Sequence, residues 1–287
     1  MTPFELAEPR SLREAAVLLT NGGEPAHAIA GGTALMLMMK AGVFQPKRLV
    51  SLRAIEPQHS EINVLPGGGL RIGAMATLRS LERSVLVKQA ASVITRTLKT
   101  LSNVRVRNVA TLGGHLAHGD PHMDLPPVLT ALGAHVRTLS PAGERTLAVG
   151  EVYTGYYETC LADDELIAEL IVPPQTGWRS AYFKITTRAA DDWPTLGIAV
   201  ALRMEANVVR EARLVVSAAT NTPTRLSAAA GVLLGATPDA AILARCGDAA
   251  FAEVELVGDV HGSAPYKQEL LRVYVARAIR GALVDRL

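Results

Sequence analysis

Cysteine is scarce in this chain of 287 residues, which contains only Cys160 and Cys246. The two lie far apart in the sequence and form no Cys-x-x-Cys pair. An iron–sulfur cluster needs about four thiolate ligands, so we expect no cluster to be bound by this chain. A zinc ribbon is disfavoured for the same reason, because its ligands come in closely spaced pairs.

The chain also lacks a strong excess of charge and any long apolar run. Its formal net charge is +2 at pH 7, which argues against nucleic acid or an anionic membrane as the main partner. No stretch approaches the ~18 consecutive apolar residues of a membrane-spanning helix. The first residues show no basic segment followed by an apolar one, so no signal peptide is predicted. We therefore predict a cytoplasmic protein with reduced thiols and no integral membrane segment.

Strand-like and helical patterns follow one another along the chain and predict an α+β protein. Aromatic residues make up 4 % of the chain and hydrophobic residues 49 %, so Ala, Val and Leu must fill the core. The segment 11–23 predicts a helix that Ser11 and Glu14 cap and that Gly22 and Gly23 end. Segments 61–75 and 135–149 each predict a hairpin, and residues 77–100 predict helical structure in two pieces.

The composition changes at "VPPQTG" (residues 172–177), where two prolines and a glycine predict a domain boundary. Three strand-like runs follow between residues 179 and 219, and the remainder is helical in pattern. The last predicted helix has Ser263 as its candidate cap. Its expected apolar face consists of Leu270, Val273, Tyr274 and Ala278.

Two glycine pairs are the most distinctive local features. Gly31–Gly32 follows a predicted strand and opens a helix, whereas Gly113–Gly114 follows a strand-like run and enters a predicted loop. Glycine lets the backbone approach a ligand closely, and the N–H groups of such loops bind phosphate oxygens. Each pair alone also fits an ordinary turn or helix cap. Neither matches the Gly-x-Gly-x-x-Gly pattern of dinucleotide-binding folds or the P-loop.

The segment 110–126, "ATLGGHLAHGDPHMDLP", contains three histidines, but their pattern does not favour a metal site. No cysteine or carboxylate completes a known zinc pattern around them, so we predict that no metal is bound. His118 and His122 are interpreted as ordinary loop residues, and His115 as a candidate ligand contact. Asp124 is a candidate acceptor for a ribose or ribityl hydroxyl group.

Four blocks of the sequence together resemble a known family. They are "AGGTALMLMMKAG", "VRNVATLGGHLAHGDPHMDLPPVLTALGA", "KITTRAADDWPTLGIAVAL" and "HGSAPYKQELLRVYVARAI". They are similar to the FAD-binding medium subunit of molybdenum hydroxylases of the xanthine dehydrogenase and carbon monoxide dehydrogenase type. The resemblance covers nearly the whole chain. It implies a vanillyl-alcohol-oxidase (PCMH)-type FAD-binding domain over residues 1–175, with subdomains of about 1–55 and 56–175. A C-terminal domain with a three-stranded antiparallel sheet and a helix bundle is expected over residues 176–287.

The resemblance also implies which residues bind FAD. In the family both glycine loops bind the pyrophosphate, and an aspartate, a lysine, an aromatic residue and apolar residues surround the rest of the cofactor. Transferred to this sequence, the implied FAD contacts are Ala30, Gly31, Gly32, Thr33, Ala34, Leu35, Leu101, Thr111, Leu112, Gly113, Gly114, His115, Asp124, Ile167, Lys184 and Trp193.

The sequence departs from the family at two of these positions. Ala34 stands where the family usually has Asp, Glu or Ser, and His115 stands where it usually has Asn. An imidazole can replace an amide as a donor, but its protonation state then matters. A side chain at Gly32 or Gly113 is expected to clash with the pyrophosphate or to strain the backbone. Valine at Gly113 is predicted to abolish flavin binding in a protein that still folds.

The function implied by the resemblance is electron transfer within a heterotrimer. Substrate is expected to be hydroxylated at a molybdopterin-type molybdenum cofactor in a large subunit. Electrons then pass through [2Fe–2S] clusters of a small subunit to this FAD, and on to NAD, a quinone, a cytochrome or oxygen. Family members form a dimer of heterotrimers, and no catalytic acid or base is expected in this chain. Two alternatives stay open: a free-standing FAD-dependent reductase, and a flavin-free scaffold or maturation protein.

Overall fold

The computed structural model describes residues 2–20 and 26–284, and the chain begins with a small parallel sheet. Its three strands lie in the order β1-β3-β2, with β3 paired in parallel to both neighbours. The elements of this part are β1 (Glu5–Ala7), α1 (Leu12–Thr20), β2 (Ala26–Ile29), α2 (Leu35–Lys40) and β3 (Arg48–Ser51). The first glycine pair lies between β2 and α2, so its predicted position between a strand and a helix is confirmed.

The predicted cap of helix α1 is confirmed. The Ser11 hydroxyl oxygen accepts a hydrogen bond of 3.0 Å from the Glu14 backbone N–H. The Glu14 carboxylate in turn accepts one of 2.7 Å from the backbone N–H of Arg10. Ser11 therefore caps the helix as predicted, whereas Glu14 bonds to the N–H of Arg10 and not to that of Ser11, which a capping box requires. The predicted end of the helix at Gly22 and Gly23 lies outside the described residues.

A five-stranded antiparallel sheet with the order β4-β5-β10-β6-β7 follows. Its strands are β4 (Ile62–Val64), β5 (Leu70–Gly73), β6 (His135–Ser140), β7 (Gly143–Ala148) and β10 (Leu166–Val172), and the separate hairpin of β8 (Tyr153–Gly155) and β9 (Glu158–Thr159) precedes β10. The two predicted hairpins are confirmed as the pairs β4–β5 and β6–β7.

Six helices connect β5 to β6, where the sequence predicts fewer. They are α3 (Leu78–Arg83), α4 (Val85–Ala90), α5 (Ser92–Thr100), α6 (Val104–Arg107), α7 (Leu112–Ala117) and α8 (Leu125–Leu132). The expected loop at the second glycine pair is wrong, because Gly113 and Gly114 form the first turn of α7. Asn103 caps α6 and Thr111 caps α7, each through its side-chain oxygen. Helices of four and six residues are too short to show a clear apolar period. Their capping residues are the sequence feature that indicates where they begin.

The C-terminal sheet has four antiparallel strands, not the expected three. They are β11 (Trp178–Ile185), β12 (Leu196–Glu205), β13 (Val208–Ser217) and β14 (Thr224–Arg225), in the order β11-β12-β13-β14. The additional strand is two residues long and pairs with Val215 and Val216 of β13. A strand of two residues has no alternation that a sequence pattern could reveal. The mixed α+β class is confirmed.

Three helices cover one face of this sheet: α9 (Ser227–Leu233), α10 (Ala240–Glu253) and α11 (Ala264–Val284). The apolar face expected for α11 is partly wrong, because Val273 is 48 % exposed. Ala278 is buried as expected, and the other residues that α11 buries are Lys267, Leu271, Val275, Ile279 and Ala282. Apolar residues surround this helix almost completely between 270 and 276, so packing decides which of them is buried. Within the described ranges no helix is both long and apolar enough to cross a membrane.

Strand β12 joins the two halves of the molecule because both of its faces are buried. Ala199 and Ala201 pack into the core formed by the five-stranded sheet and helices α3–α8. Ile198, Val200 and Leu202 point the other way, into the core under α9–α11. This two-residue alternation is the ordinary geometry of a strand between two layers. It fixes the C-terminal sheet against α8, beside the cavity described below.

The packing of Gly113 generates a stability prediction. A Cβ atom at this position would lie 2.7 Å from the Cβ of Ala74, so valine would clash with the protein before it met any ligand. The expectation that Gly113→Val leaves the fold intact is therefore replaced. We expect Gly113→Val to lower the free energy of unfolding by about 1–3 kcal/mol, the usual cost of overpacking. Urea unfolding followed by circular dichroism measures this change.

The double variant Gly113→Val/Ala74→Gly provides the control for this clash. Removing the Ala74 methyl group opens the space that the valine needs, so part of the lost stability should return. If the double variant loses as much unfolding free energy as the two single variants lose together, the proposed contact is wrong.

Candidate functional site

A cavity of about 740 Å³ lies between the small parallel sheet, the five-stranded sheet and strand β11 with the segment that follows it. Of the predicted FAD contacts, all but Leu112 line this cavity. Leu112 is 1 % exposed and points into the core of the five-stranded sheet. The structure thus brings together residues that are up to 163 positions apart, from Ala30 to Trp193. A cavity of this size is within the range of cofactor sites.

The two glycine segments lie directly against each other at the cavity wall. A Cβ atom on Gly31 would overlap the carbonyl oxygen of Val109 and would lie 2.8 Å from the Ala110 Cα. On the other side, a Cβ on Gly114 would lie 3.7 Å from the Cβ of Ala30. Glycine at position 31 is therefore required by the close approach of two backbones. The turn before α2 and the start of α7 form one continuous wall.

The first glycine segment presents unpaired backbone donors. Within residues 2–20 and 26–284, the N–H groups of Gly31, Gly32, Thr33 and Ala34 donate to no protein acceptor. Gly32 has φ +69°, a left-handed conformation that turns the chain between β2 and α2. Successive N–H groups in such a turn form a concave nest that binds anions. No side chain caps α2 at Ala34, so these donors stay available.

The second glycine segment differs, because the protein itself satisfies the backbone donors of residues 112–114. The N–H of Leu112 donates to the carbonyl of Ala76 at 2.9 Å, and the N–H of Gly113 to the carbonyl of Ala74 at 2.7 Å. The N–H of Gly114 donates to the Thr111 hydroxyl at 3.2 Å. These bonds fasten α7 to the turn that follows β5. The predicted contacts of residues 111–114 with a pyrophosphate remain predictions.

His115 carries an unpaired polar atom at the cavity. The residue is 8 % exposed, and its Nε2 atom has no hydrogen-bond partner among the described residues. Burial, together with the nearby His118, lowers the pKa of His115 to about 3, so its imidazole is neutral. A buried polar atom without a partner costs stability unless a ligand supplies one. This orphaned nitrogen fits a polar group of a bound cofactor.

Asp124 and Lys184, two separately predicted contacts, form a buried ion pair. The Lys184 ammonium lies 2.9 Å from Asp124 Oδ2 and also donates to the carbonyl of Thr100 at 2.9 Å. The Tyr182 hydroxyl donates to Asp124 Oδ1 at 2.7 Å, a contact that no sequence pattern predicts. Burial raises the pKa of Asp124, while Lys184 opposes that effect. A hydroxyl group of a ligand would have to share an oxygen that already accepts a bond.

Leu101 and Ile167 provide apolar lining. Hydrogen bonds to a buried arginine fix the backbone around Leu101. The guanidinium of Arg107 donates to the carbonyl of Leu101 at 3.1 Å and to that of Ser102 at 2.5 Å. Arg107 is itself paired with Glu82 at 2.9 Å and is 7 % exposed. The predictions did not include Arg107, although it lies in the "VRNVA" run of the second block. Its contribution is to fix the backbone that carries Leu101.

Trp193 is 49 % exposed at the cavity and stacks on His122. The two ring centroids are 5.3 Å apart and the ring planes differ by 21°. His122 is therefore not an ordinary loop residue, because its Nδ1 lies 3.0 Å from Asp120 and its Nε2 lies 3.0 Å from Asp259. Asp259 is also paired with the fully buried Lys267 at 2.8 Å. No local pattern could have linked these residues, because they come from separate parts of the chain.

His118 is placed differently from the other two histidines of its segment. Its ring meets the Tyr157 ring edge-on, with centroids 5.3 Å apart. Across the described parts of the chain, no three His, Cys, Asp or Glu side chains are arranged to hold a metal ion. That no metal is bound remains a prediction from the sequence.

The His122 cluster predicts a dependence of stability on pH. Burial acts to lower the pKa of His122, but the hydrogen bonds and charges of Asp120 and Asp259 outweigh it and raise the pKa above the ordinary 6.5. A raised pKa in the folded state contributes stability that is complete below the unfolded pKa and is lost as pH rises through the folded value. We expect the stability difference between the natural chain and His122→Gln to shrink from about pH 5.5 to about pH 9.

Urea unfolding at the two pH values measures this difference. His135→Gln, at an exposed position on β6, controls for the general effect of pH on the chain. The groups that face the His122 ring are Asp120, Asp259 and His261, with Lys267 behind Asp259. If the stability difference between the natural chain and His122→Gln grows toward alkaline pH, the imidazole is not protonated between the two carboxylates.

Two family models match the chain and together cover most of it. Residues 2–175 match the FAD binding domain in molybdopterin dehydrogenase. Residues 181–282 match the CO dehydrogenase flavoprotein C-terminal domain. The first range contains the cavity wall built by the two glycine segments, and the second contains Lys184, Trp193 and Lys267.

Individual proteins and structures are similar over nearly the full length. The carbon monoxide dehydrogenase medium chain of Hydrogenophaga pseudoflava is 34 % identical over 282 residues, covering 97 % of this chain and 96 % of the relative. A solved structure of carbon monoxide dehydrogenase from that organism, lacking the Mo-pyranopterin moiety of the molybdenum cofactor, superposes with a TM-score of 0.94 at 33 % identity, covering 99 % of both chains. Quinoline 2-oxidoreductase from Pseudomonas putida 86 gives a TM-score of 0.92 at 26 % identity, covering 98 % of this chain and 97 % of that one.

Proposed function

The chain belongs to the family of FAD-binding medium subunits of the molybdenum hydroxylases, and from this we propose that it carries electrons between the iron–sulfur clusters of a partner subunit and an external acceptor. It is an oxidoreductase subunit with a PCMH-type FAD-binding domain followed by a flavoprotein C-terminal domain. The proposed acceptor is NAD, a quinone or oxygen. The proposed domain limits are residues 1–175 and 176–287, within which the matched ranges lie.

The observation that carries the proposal is the presence of unpaired backbone donors and an unpaired imidazole nitrogen at one cavity. Four consecutive backbone N–H groups at residues 31–34 and the Nε2 atom of His115 lack partners among the described residues. A pyrophosphate supplies several anionic oxygens, and such oxygens are what a nest of N–H groups binds. These residues therefore fit FAD, with its pyrophosphate at the first glycine segment. The flavin, when bound, exchanges electrons singly with clusters and in pairs with nicotinamide.

The remaining residues of the cavity receive supporting roles in this proposal. Leu101 and Ile167 cover the flavin with apolar surface, which excludes water. The Asp124–Lys184 pair offers oxygens and an ammonium group to the polar middle of the cofactor. Trp193 forms the wall at the isoalloxazine end. No residue has to act as a general acid or base, because the chain's task is to hold and orient an electron carrier.

The proposed partners follow from what this chain does not contain. Its two cysteines, Cys160 and Cys246, cannot supply about four thiolates to a [2Fe–2S] cluster. The clusters are therefore assigned to a partner. The family resemblance further implies that this partner is a small subunit, that a large subunit holds the molybdopterin-type cofactor, and that the three chains form a dimer of heterotrimers, which we propose to be cytoplasmic. The relatives' designation as a medium chain supports an assembly of several subunits. A net charge of +2 is consistent with the absence of a nucleic-acid partner.

A substitution at Gly32 tests the cofactor site, with Gly68 as a matched control. Both glycines have positive φ, +69° and +90°, so alanine costs a similar backbone strain of about 1–2 kcal/mol at either position. Gly32 is at the proposed pyrophosphate site, and Gly68 is in the β4–β5 turn with nothing within 4 Å of an added Cβ. We expect Gly32→Ala to weaken FAD binding at least ~10-fold, and Gly68→Ala to leave it unchanged.

The affinity is measured by titrating the flavin-free chain with FAD. A covalent link is tested separately, by precipitating the loaded protein with acid and measuring the flavin absorbance of the supernatant. We expect acid to release all FAD into the supernatant, because neither cysteine lines the cavity and the family that the chain resembles does not hold FAD covalently. A chain that binds no FAD under any condition would support the flavin-free scaffold. Equal affinities for the two variants would place the pyrophosphate elsewhere.

Expression alone and with partner subunits separates the electron-transfer subunit from the free-standing reductase. We expect the isolated chain with FAD to show no substrate-dependent dye reduction, since its electrons must arrive from clusters that it cannot bind. Coexpression with the proposed large and small subunits should produce substrate-dependent dye reduction, and all three chains should copurify. Substrate oxidation by the isolated flavin-loaded chain would favour the free-standing reductase.

A further inference from the structure

The environment of His122 combines two carboxylates, one on each ring nitrogen. Asp120 Oδ1 lies 3.0 Å from Nδ1 and accepts a second hydrogen bond of 2.9 Å from the backbone N–H of His122. Asp259 Oδ2 lies 3.0 Å from Nε2. A neutral imidazole has one N–H and would satisfy one carboxylate, whereas the protonated ring donates to both. The His122 side chain is 7 % exposed, so water does not compete strongly for these bonds.

The second carboxylate is itself held from two directions. Asp259 Oδ1 accepts a hydrogen bond of 2.8 Å from the backbone N–H of His261. Its Oδ2 lies 2.8 Å from the ammonium of Lys267, which is 0 % exposed and projects from the first turn of α11. The chain of contacts therefore runs from a buried lysine of the C-terminal helix to a histidine next to α8. The His122 ring has one orientation in which both of its nitrogens are satisfied.

The face of this fixed ring supports Trp193. The indole belongs to the exposed segment between β11 and β12, and its backbone N–H is bonded to the adjacent Asp192 at 2.8 Å. Among the described residues, its ring contacts are the stack on His122 at 5.3 Å and a tilted contact with His261 at 6.5 Å. A cation on the face of an indole is attracted by the ring's electron density. The half-exposed indole thus has one strong anchor.

We propose that His122 is the positioning residue for Trp193, and that the doubly held imidazole fixes the indole as the wall of the cavity at the isoalloxazine end. The part concerning the flavin rests on the proposed function, whereas the stack itself does not. Neither His122, Asp259 nor Lys267 is among the residues predicted to contact FAD. They act through the indole: Lys267 fixes Asp259, Asp259 and Asp120 fix the His122 ring, and the ring fixes Trp193.

The experiment uses the emission of Trp193 in the full chain. The chain has two tryptophans, so Trp178→Phe provides a background in which Trp193 is the only indole; phenylalanine retains an aromatic ring under Arg213. In that background, the flavin-free chain is compared with His122→Ala and with Asp259→Ala. Asp259→Ala leaves the ring but removes one of its two anchors. The matched control is His261→Ala, which removes a neighbouring imidazole but keeps the backbone N–H that binds Asp259.

We expect His122→Ala to increase the emission yield and lower the anisotropy of Trp193, because a contacting imidazolium both quenches and immobilises an indole. Asp259→Ala should have a smaller effect in the same direction, and His261→Ala should leave both readouts near those of the background. With FAD added, His122→Ala should weaken binding by about threefold to tenfold, the range of a lost cation–π contact. Far-ultraviolet circular dichroism identifies any variant that fails to fold. If His122→Ala does, His122→Gln replaces it as the deciding variant, because Asp259→Ala leaves the buried Lys267 ammonium without its carboxylate.

The outcomes separate this proposal from the proposed function. If the background chain binds FAD while His122→Ala and Asp259→Ala match His261→Ala in emission, anisotropy and affinity, the positioning role is wrong and the cofactor assignment stands. If the background chain binds no FAD, the cofactor assignment fails, and the emission of the flavin-free variants still decides whether His122 holds Trp193.

Discussion

The close contact between the backbone at Gly31 and the backbone at Val109 is the constraint on which the site depends. No side chain larger than hydrogen fits at position 31, because a Cβ would overlap the Val109 carbonyl oxygen. Through this contact the backbone of the turn after β2 packs directly against the backbone of the segment before α7. The cavity lies along that junction and takes residues from both sides. The other contacts of the site orient groups around a wall that this approach has already formed.

The two glycine segments look alike in sequence, but the structure gives their backbones different tasks. The N–H groups of residues 31–34 have no partner among the described residues and stay available to a ligand. Those of Leu112 and Gly113 donate to the turn after β5, so they anchor α7. The difference arises from the neighbouring chain, because residues 74–76 supply acceptors to the second segment, and no residue in the described ranges supplies one to residues 31–34. The first segment therefore leaves its donors available to a ligand, whereas two donors of the second fasten α7 to the rest of the domain.

Buried ion pairs join the N-terminal half of the chain to the C-terminal half beside this wall. Asp124 and Lys184 meet at 2.9 Å between α8 and β11, and Lys267 of α11 reaches Asp259, which in turn bonds to His122. Removing charges from water costs free energy that the pairing only partly returns, so such pairs contribute little net stability. Their effect is geometric. Each links the two halves next to a C-terminal side chain that lines the cavity, Lys184 in one case and Trp193 in the other.

The sequence by itself determined the elements whose signals are local: the capped start of α1, the hairpins β4–β5 and β6–β7, the strand–glycine–helix order at residues 26–40, and the long strands β11 to β13. Through its resemblance to a known family it also named a set of residues, of which all but Leu112 line one cavity. It could not show that Asp124 is bonded to Lys184 and Tyr182, that Val273 faces outward, or that His122 is fixed by Asp259. These depend on which residues become neighbours when distant segments pack, and a pairing across 137 positions leaves no period, cap or spacing in the sequence. Only the tertiary structure decided them, because burial and hydrogen-bond partners are properties of the packed chain.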